Sequence, residues 1–268
     1  MTRKEEIDKR GYIIIKNVFS PEEITEIRNN VITDKDHKGD LLSSKLLSKV
    51  ITDSRILTIF KECLGQEEIF YFGDSSFSFN AGGTKFHKDS KDREKKDSHE
   101  FKDKNYSLLR LGIYLQDHSQ HSKGLSLRTD SHLEHSVKKG KIINFKSEIG
   151  DIVIWKLTTT HAGNTEIVSF LPNVAFNPNI AKRFPEFIKL KSIEPRIALF
   201  MCFGLEDEYS SAYIDYLKTR KYAVERWQVS KYSDEAIKAM KDQNIKLYDS
   251  FDINEIDLSS VRKRYKQV

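Results

Sequence analysis

Gly150-Asp151-Ile152-Val153-Ile154-Trp155-Lys156-Leu157-Thr158-Thr159-Thr160-His161 reads as a turn, a buried strand and a polar exit that ends on a histidine. Gly-Asp is a turn signal. Ile152 to Trp155 are β-branched or aromatic throughout, which is strand texture. His161 therefore sits just past a strand end, and Ala162-Gly163-Asn164 is expected to turn the chain there. At such a place a histidine is either a ligand held by the strand or a surface side chain in the connecting loop.

Working outward, strand texture recurs. Ile69 to Phe72 and Phe77-Ser78-Phe79 are aromatic and β-branched, Leu108 to Leu115 and Leu125 to Leu127 follow, and Arg196 to Phe203 is a nearly continuous apolar run. Such a run suits a strand buried on both faces. The N-terminal part is different. A short apolar burst, Tyr12 to Ile15, precedes Ser20-Pro21-Glu22-Glu23. Ser20 can cap a helix, Pro21 fits its first position, and Glu23 can complete a capping box. Ile24, Ile27 and Val31 give the helical stripe, and a second helical region covers about 43–64, ended by Gly65. After Gly204 the chain turns helical and charged, with Tyr213, Leu217 and Trp227 as anchors.

The order is helices, many strands, then helices. It predicts a mainly β fold with flanking helices rather than alternating βαβ units. One domain over 1–268 is expected: a strand and helices in 1–66, the β core in 67–204, and a helical extension in 205–268. There is no internal repeat and no glycine-rich phosphate loop.

Composition narrows the function classes. The formal charge is +5, but the 45 basic and 40 acidic residues are interspersed, without a basic-aromatic block. Nucleic acid is not an expected partner. The N-terminal residues Met1 to Asp8 lack the apolar core of a signal peptide. No apolar stretch approaches the roughly 20 residues that cross a bilayer. Cys63 and Cys202 form no zinc or disulfide pattern. A cytoplasmic protein with a small-molecule substrate and no membrane partner is the expectation; oligomeric state is not legible.

The chemistry centres on His87-Lys88-Asp89. In extended chain, residues i and i+2 point to the same side, so an imidazole and a carboxylate can grip one ion. Chance also produces such triplets in a chain this charged. Here the triplet follows the apolar Phe77-Ser78-Phe79 and the Ala81-Gly82-Gly83 break, and His161 is the best third ligand. Two histidines and one carboxylate without thiolate suit Fe(II) and other hard divalent ions, and leave coordination positions open. The charge-dense run 88–105 looks like a solvated loop, with Lys88, Lys91, Arg93, Lys95 and Lys96 largely cancelled by Asp92, Glu94 and Asp97.

Four blocks together resemble the phytanoyl-CoA dioxygenase family of Fe(II)- and 2-oxoglutarate-dependent oxygenases: Gly11 to Glu23; Phe86-His87-Lys88-Asp89; Leu115-Gln116-Asp117 with Gly124-Leu125-Ser126-Leu127 and Arg128-Thr129-Asp130-Ser131-His132; and Gly150 to His161 followed by Arg196-Ile197-Ala198-Leu199. They span about residues 9–204. The resemblance implies a double-stranded β-helix (jelly-roll) core, with iron on His87, Asp89 and His161. It implies 2-oxoglutarate as co-substrate with its far carboxylate on Arg196, and O2 as oxidant. A C–H bond would be hydroxylated, with succinate and CO2 released. Related halogenases place a small residue at the Asp89 position, so the carboxylate points to hydroxylation or a related oxidation. A cupin-like jelly roll that binds metal or sugar without 2-oxoglutarate turnover is the alternative.

The chain departs from the family pattern in three places. His161 and Arg196 lie 35 positions apart, which makes 164–195 an insertion able to shape the pocket and leaves Arg183 as a rival for the carboxylate. Thr129-Asp130 stands where the family has Pro-Gly. The 90–105 segment is unusually long. Arg110, flanked by apolar residues, points either into the barrel, toward 2-oxoglutarate or substrate, or outward at an edge. His132 is read as structural, while His118, His121 and His135 are expected on exposed loops.

Overall fold

The computed structural model describes residues 1–80, 82–90 and 98–248, with 256, 258, 259 and 261 beyond them. The charged residues 91–97 thus lie outside the described residues. The elements in order are α1 (Arg3–Arg10), β1 (Tyr12–Ile15), α2 (Pro21–Thr33), α3 (Ser48–Ile51), α4 (Ser54–Leu64), β2 (Ile69–Phe79), β3 (Leu109–Tyr114), β4 (Gly124–Arg128), β5 (Ile142–Phe145), β6 (Ile152–Lys156), β7 (His161–Thr165), α5 (Pro178–Ala181), β8 (Ile197–Gly204), α6 (Glu208–Lys218), α7 (Lys221–Val229), α8 (Asp234–Lys241) and β9 (Ile245–Leu247).

The strands form two sheets. One has six strands in the order β1-β6-β3-β8-β2-β9, and the other has three, β5-β4-β7. All pairs are antiparallel except β2 with β9. This is a double-stranded β-helix core with flanking helices. Strand alternation sorts the side chains of the large sheet. On β3, Leu109, Leu111 and Ile113 join the core shared with the helices, including Ile24, Val31, Ile56 and Phe60. Tyr114 instead joins Trp155, Leu125, Leu127 and Ala198 between the sheets. Both faces of β3, β6 and β8 are therefore covered, which explains their continuous apolar texture.

The predicted local signals hold. Ser20 and Glu23 form the capping box of α2, with Pro21 at its first position. Gly65 ends α4 in the left-handed conformation at φ 69°. The Gly150-Asp151 turn ties β6 to the entry of α2. Gly150 has φ 91°, and a Cβ there would lie 2.0 Å from the Phe19 carbonyl oxygen. Asp151 is fully buried and accepts from Asn17 N, Glu148 N and Lys16 Nζ.

Several expectations are corrected. Ala162-Gly163-Asn164 is no turn but the middle of β7, paired with β4. The chain past Gly204 is not wholly helical, since β9 adds an edge to the large sheet beside β2. Asp130 takes φ 56°, a left-handed conformation within the Thr129-Asp130 turn. The 88–105 run is not solvated throughout: Lys88, Ser90, Ser98, Glu100 and Phe101 are buried. No helix among the described residues is long and apolar enough to cross a membrane.

Candidate metal centre and its cavity

His87, Asp89 and His161 come together as the sequence indicates. One ligand atom from each lies within 4.8 Å of the others. His87 Nε2 is 3.8 Å from Asp89 Oδ1, and His161 Nε2 is 3.4 Å from Asp89 Oδ2. The two histidines are placed by their own main chains, which bridge β7 and the His87 segment. The alternative of His161 as a surface loop side chain is excluded, because it is 6% exposed at the start of β7.

Each imidazole is oriented in the same way. His87 Nδ1 donates to the Lys85 carbonyl at 3.0 Å, and His161 Nδ1 donates to the Thr159 carbonyl at 3.2 Å. Both Nε2 atoms are thereby left with a lone pair for an ion. Burial, with His87 and Arg110 nearby, pushes the His161 imidazolium down to about 4 against the pull of Asp89 and the Thr159 carbonyl. At neutral pH the ring is uncharged, the form that ligates a metal.

Lys88 points away from its two ligand neighbours, as strand alternation demands. Its ammonium is fully buried and donates to the Ser131 carbonyl at 2.6 Å and to the Thr158 carbonyl. It thus fastens the His87–Asp89 segment to the turn before His132 and to the segment that leads into His161. His132 is structural, as expected: its Nε2 meets the Asp8 carbonyl at 3.0 Å. His118 is a correction, since it is 1% exposed and bonded to the Ser122 carbonyl and the Gln116 amide. His121 and His135 are half-buried.

A cavity of ≈ 170 Å³ opens from the triad, lined among others by Arg110, Tyr114, Trp155, Arg196 and Phe200. Arg196 is 3% exposed, stacks over Tyr114 at 5.5 Å and donates Nε to the Lys123 carbonyl at 2.7 Å. Its backbone N–H is fixed by the Asn80 side chain at 2.8 Å. Arg183 is exposed and lines no part of this cavity. Nor do residues 164–195, so that segment does not form its wall. Arg110 points inward and spends its guanidinium on Asp89 at 3.0 Å and on Asp74 at 2.6 Å.

The residues fit an Fe(II) ion chelated by a keto dicarboxylate. The donor set is two imidazoles and one carboxylate, suited to ferrous iron. The cavity wall offers Arg196 for a far carboxylate. It also includes Tyr114 and Trp155, whose buried hydroxyl and indole N–H find no acceptor among the described residues. Buried donors without acceptors are costly, and an anionic ligand would satisfy them. The sequence marks Tyr114 and Trp155 only as strand residues.

The fold is similar to that of several solved structures. SnoK, a non-heme alpha-ketoglutarate-dependent carbocyclase from nogalamycin biosynthesis, matches with TM-score 0.52 and 14% identity over 76% of this chain and 83% of that one. EctD from S. alaskensis with bound Fe matches with TM-score 0.52 and 14% identity, over 76% and 75%. HygX from Streptomyces hygroscopicus, with nickel and 2-oxoglutarate bound, matches with TM-score 0.51 and 13% identity, over 75% and 85%. At such identities the likeness is one of fold. No family model matches the chain, and no curated protein matches it.

Proposed function

We propose that this chain is an Fe(II)- and 2-oxoglutarate-dependent dioxygenase of the phytanoyl-CoA dioxygenase type, hydroxylating a C–H bond of a small molecule in the cytoplasm. The observation that carries this reading is the shared cavity. The His87, Asp89 and His161 triad and the buried Arg196 open onto one space. Neighbours of the same fold, EctD and HygX, have been solved with iron or nickel and with 2-oxoglutarate.

In this reading His87, Asp89 and His161 hold the ion on one face and leave its other positions open. Arg196 takes the far carboxylate of 2-oxoglutarate, and Tyr114 and Trp155 give it their unused hydrogens. When bound, the metal and keto acid supply the oxidising chemistry with O2, releasing succinate and CO2. The chain's own work is orientation and exclusion of water. Trp155 packs tilted against His161 at 5.1 Å and Phe200 meets Trp155 edge-on at 6.3 Å, so aromatic rings wall the ligand side of the cavity.

The cavity is smaller than the roughly 300–1,000 Å³ of sites that enclose a drug-sized ligand. The substrate to be oxidised therefore enters from the mouth; of the lining residues, Gly82 and Gly83 are exposed. Succinate release from purified protein with iron and 2-oxoglutarate tests the reading. Wild type should form succinate even without prime substrate, slowly, and His87→Ala should not. Metal binding without any succinate would favour the cupin-like alternative.

A further inference from the structure

Arg110 carries two loads at once. Its Nη1 donates to Asp89 Oδ2 at 3.0 Å, and its Nη2 donates to Asp74 Oδ2 at 2.6 Å. Asp74 is where the C-terminal helices arrive. Tyr213 of α6 donates its hydroxyl to Asp74 Oδ2 at 3.1 Å, and Arg226 of α7 donates Nη1 to Asp74 Oδ1 at 3.0 Å. The Tyr213 hydroxyl also accepts from Arg110 Nη2 at 3.2 Å. Asp74 itself sits in the irregular part of β2, between Tyr71 and Ser75, where the register with β8 shifts.

Charge explains why these partners come as a set. Asp89 and Asp74 are matched by Arg110 and Arg226. A guanidinium beside a divalent cation would by itself weaken binding of the cation. Asp74 offsets that charge, and Arg226 and Tyr213 hold Asp74 in place. Arg110 meanwhile holds Asp89 through its Oδ2.

We infer that Arg110 is a positioning residue of the metal centre, clamping one oxygen of Asp89, and that α6 and α7 hold it in register through Asp74. The C-terminal extension is then part of the support of the metal site. This rests on the metal reading of His87, Asp89 and His161. A lysine at 110 keeps the charge but cannot span two carboxylates.

The test is anaerobic Co(II) titration followed by visible absorbance, with circular dichroism and melting curves to confirm folding. Changes around metal ligands typically cost about 10–100-fold in affinity. Arg110→Lys and Arg226→Gln should weaken Co(II) binding by about 10-fold and shift the absorption band of the bound ion, and Arg226→Lys should restore most of the affinity. Should Arg110→Lys fail to fold, Tyr213→Phe removes one hydroxyl only and should still lower affinity several-fold with a shifted band. Folded Arg226→Gln and Tyr213→Phe proteins that bind Co(II) with wild-type affinity and spectrum would overturn the inference. A wild-type protein that binds no Co(II), like His87→Ala, overturns the metal reading and the clamp with it.

Discussion

The main chains of His87 and His161 pair with each other, each N–H donating to the other's carbonyl at 2.9 Å. Two ligands from distant parts of the sequence thus share one rung of a β ladder. Their spacing is set by backbone, before any ion is present. His161→Ala should therefore leave the fold intact, with a cost of about 1–2 kcal/mol at most. It should lower Co(II) affinity by more than about 100-fold, beyond what outer groups around a metal usually cost. Titration alongside a melting curve checks both halves of the claim.

Arg196 is held by the Lys123 carbonyl and by the Tyr114 ring within the cavity. A planar fork matches a carboxylate with two parallel bonds, which a lysine cannot do. Arg196→Lys should raise the half-saturating 2-oxoglutarate concentration by about 10-fold or more, a loss of one charge-assisted hydrogen bond. Co(II) affinity should stay as in wild type. Arg183→Ala, at an exposed position outside the cavity, should change neither. Succinate assays at varied 2-oxoglutarate, with Co(II) titrations, separate these outcomes.

Gly150 holds a conformation that a side chain resists, and the Phe19 carbonyl occupies the space a Cβ would need. Gly150→Ala should destabilise the protein by about 3 kcal/mol from backbone strain and the displaced carbonyl. For a chain of this size that lowers the melting temperature by roughly 6–12 °C. A calorimetric melt measures it directly.

His118 and His132 make stability depend on pH in a definite direction. Burial pushes both imidazoles down to about 4 in the folded protein. An unfolded chain protonates them near about 6.5. Above that pH neither state is charged and nothing is lost. As pH falls from 6.5 toward 4, the unfolded state takes up protons that the folded state refuses, so stability declines, and the loss levels off below 4. Each histidine contributes at most about 1.4 kcal/mol per pH unit in that window. Melting curves from pH 7 to 4 should show the decline, and His132→Gln should have a shallower one.

The sequence exposed what is written in local chemistry. The capping box around Ser20 and Glu23, the stop at Gly65 and the turn at Gly150-Asp151 each depend on residues a few positions apart. So does the His87 and Asp89 pair, which needs only strand alternation. β7 is hidden because His161-Ala162-Gly163-Asn164 has little strand propensity; its pairing with β4 makes it a strand. That is tertiary context overriding local preference.

Local charge does not decide burial. Lys88 opens the most polar run of the chain, yet alternation turns it inward onto two carbonyl oxygens that come from residues 131 and 158. The same limit applies to Arg110. Its apolar flanks left inward and outward equally open, and the deciding partners, Asp74 and Asp89, come from β2 and from the segment before β3.

The central claim is one site for both iron and 2-oxoglutarate. Anaerobic titration of the protein with Fe(II), with and without 2-oxoglutarate, tests it most directly. The expected result is a visible charge-transfer band that requires both components, disappears in His87→Ala, and needs more 2-oxoglutarate in Arg196→Lys. A wild-type protein whose spectrum is the same with and without 2-oxoglutarate would contradict it.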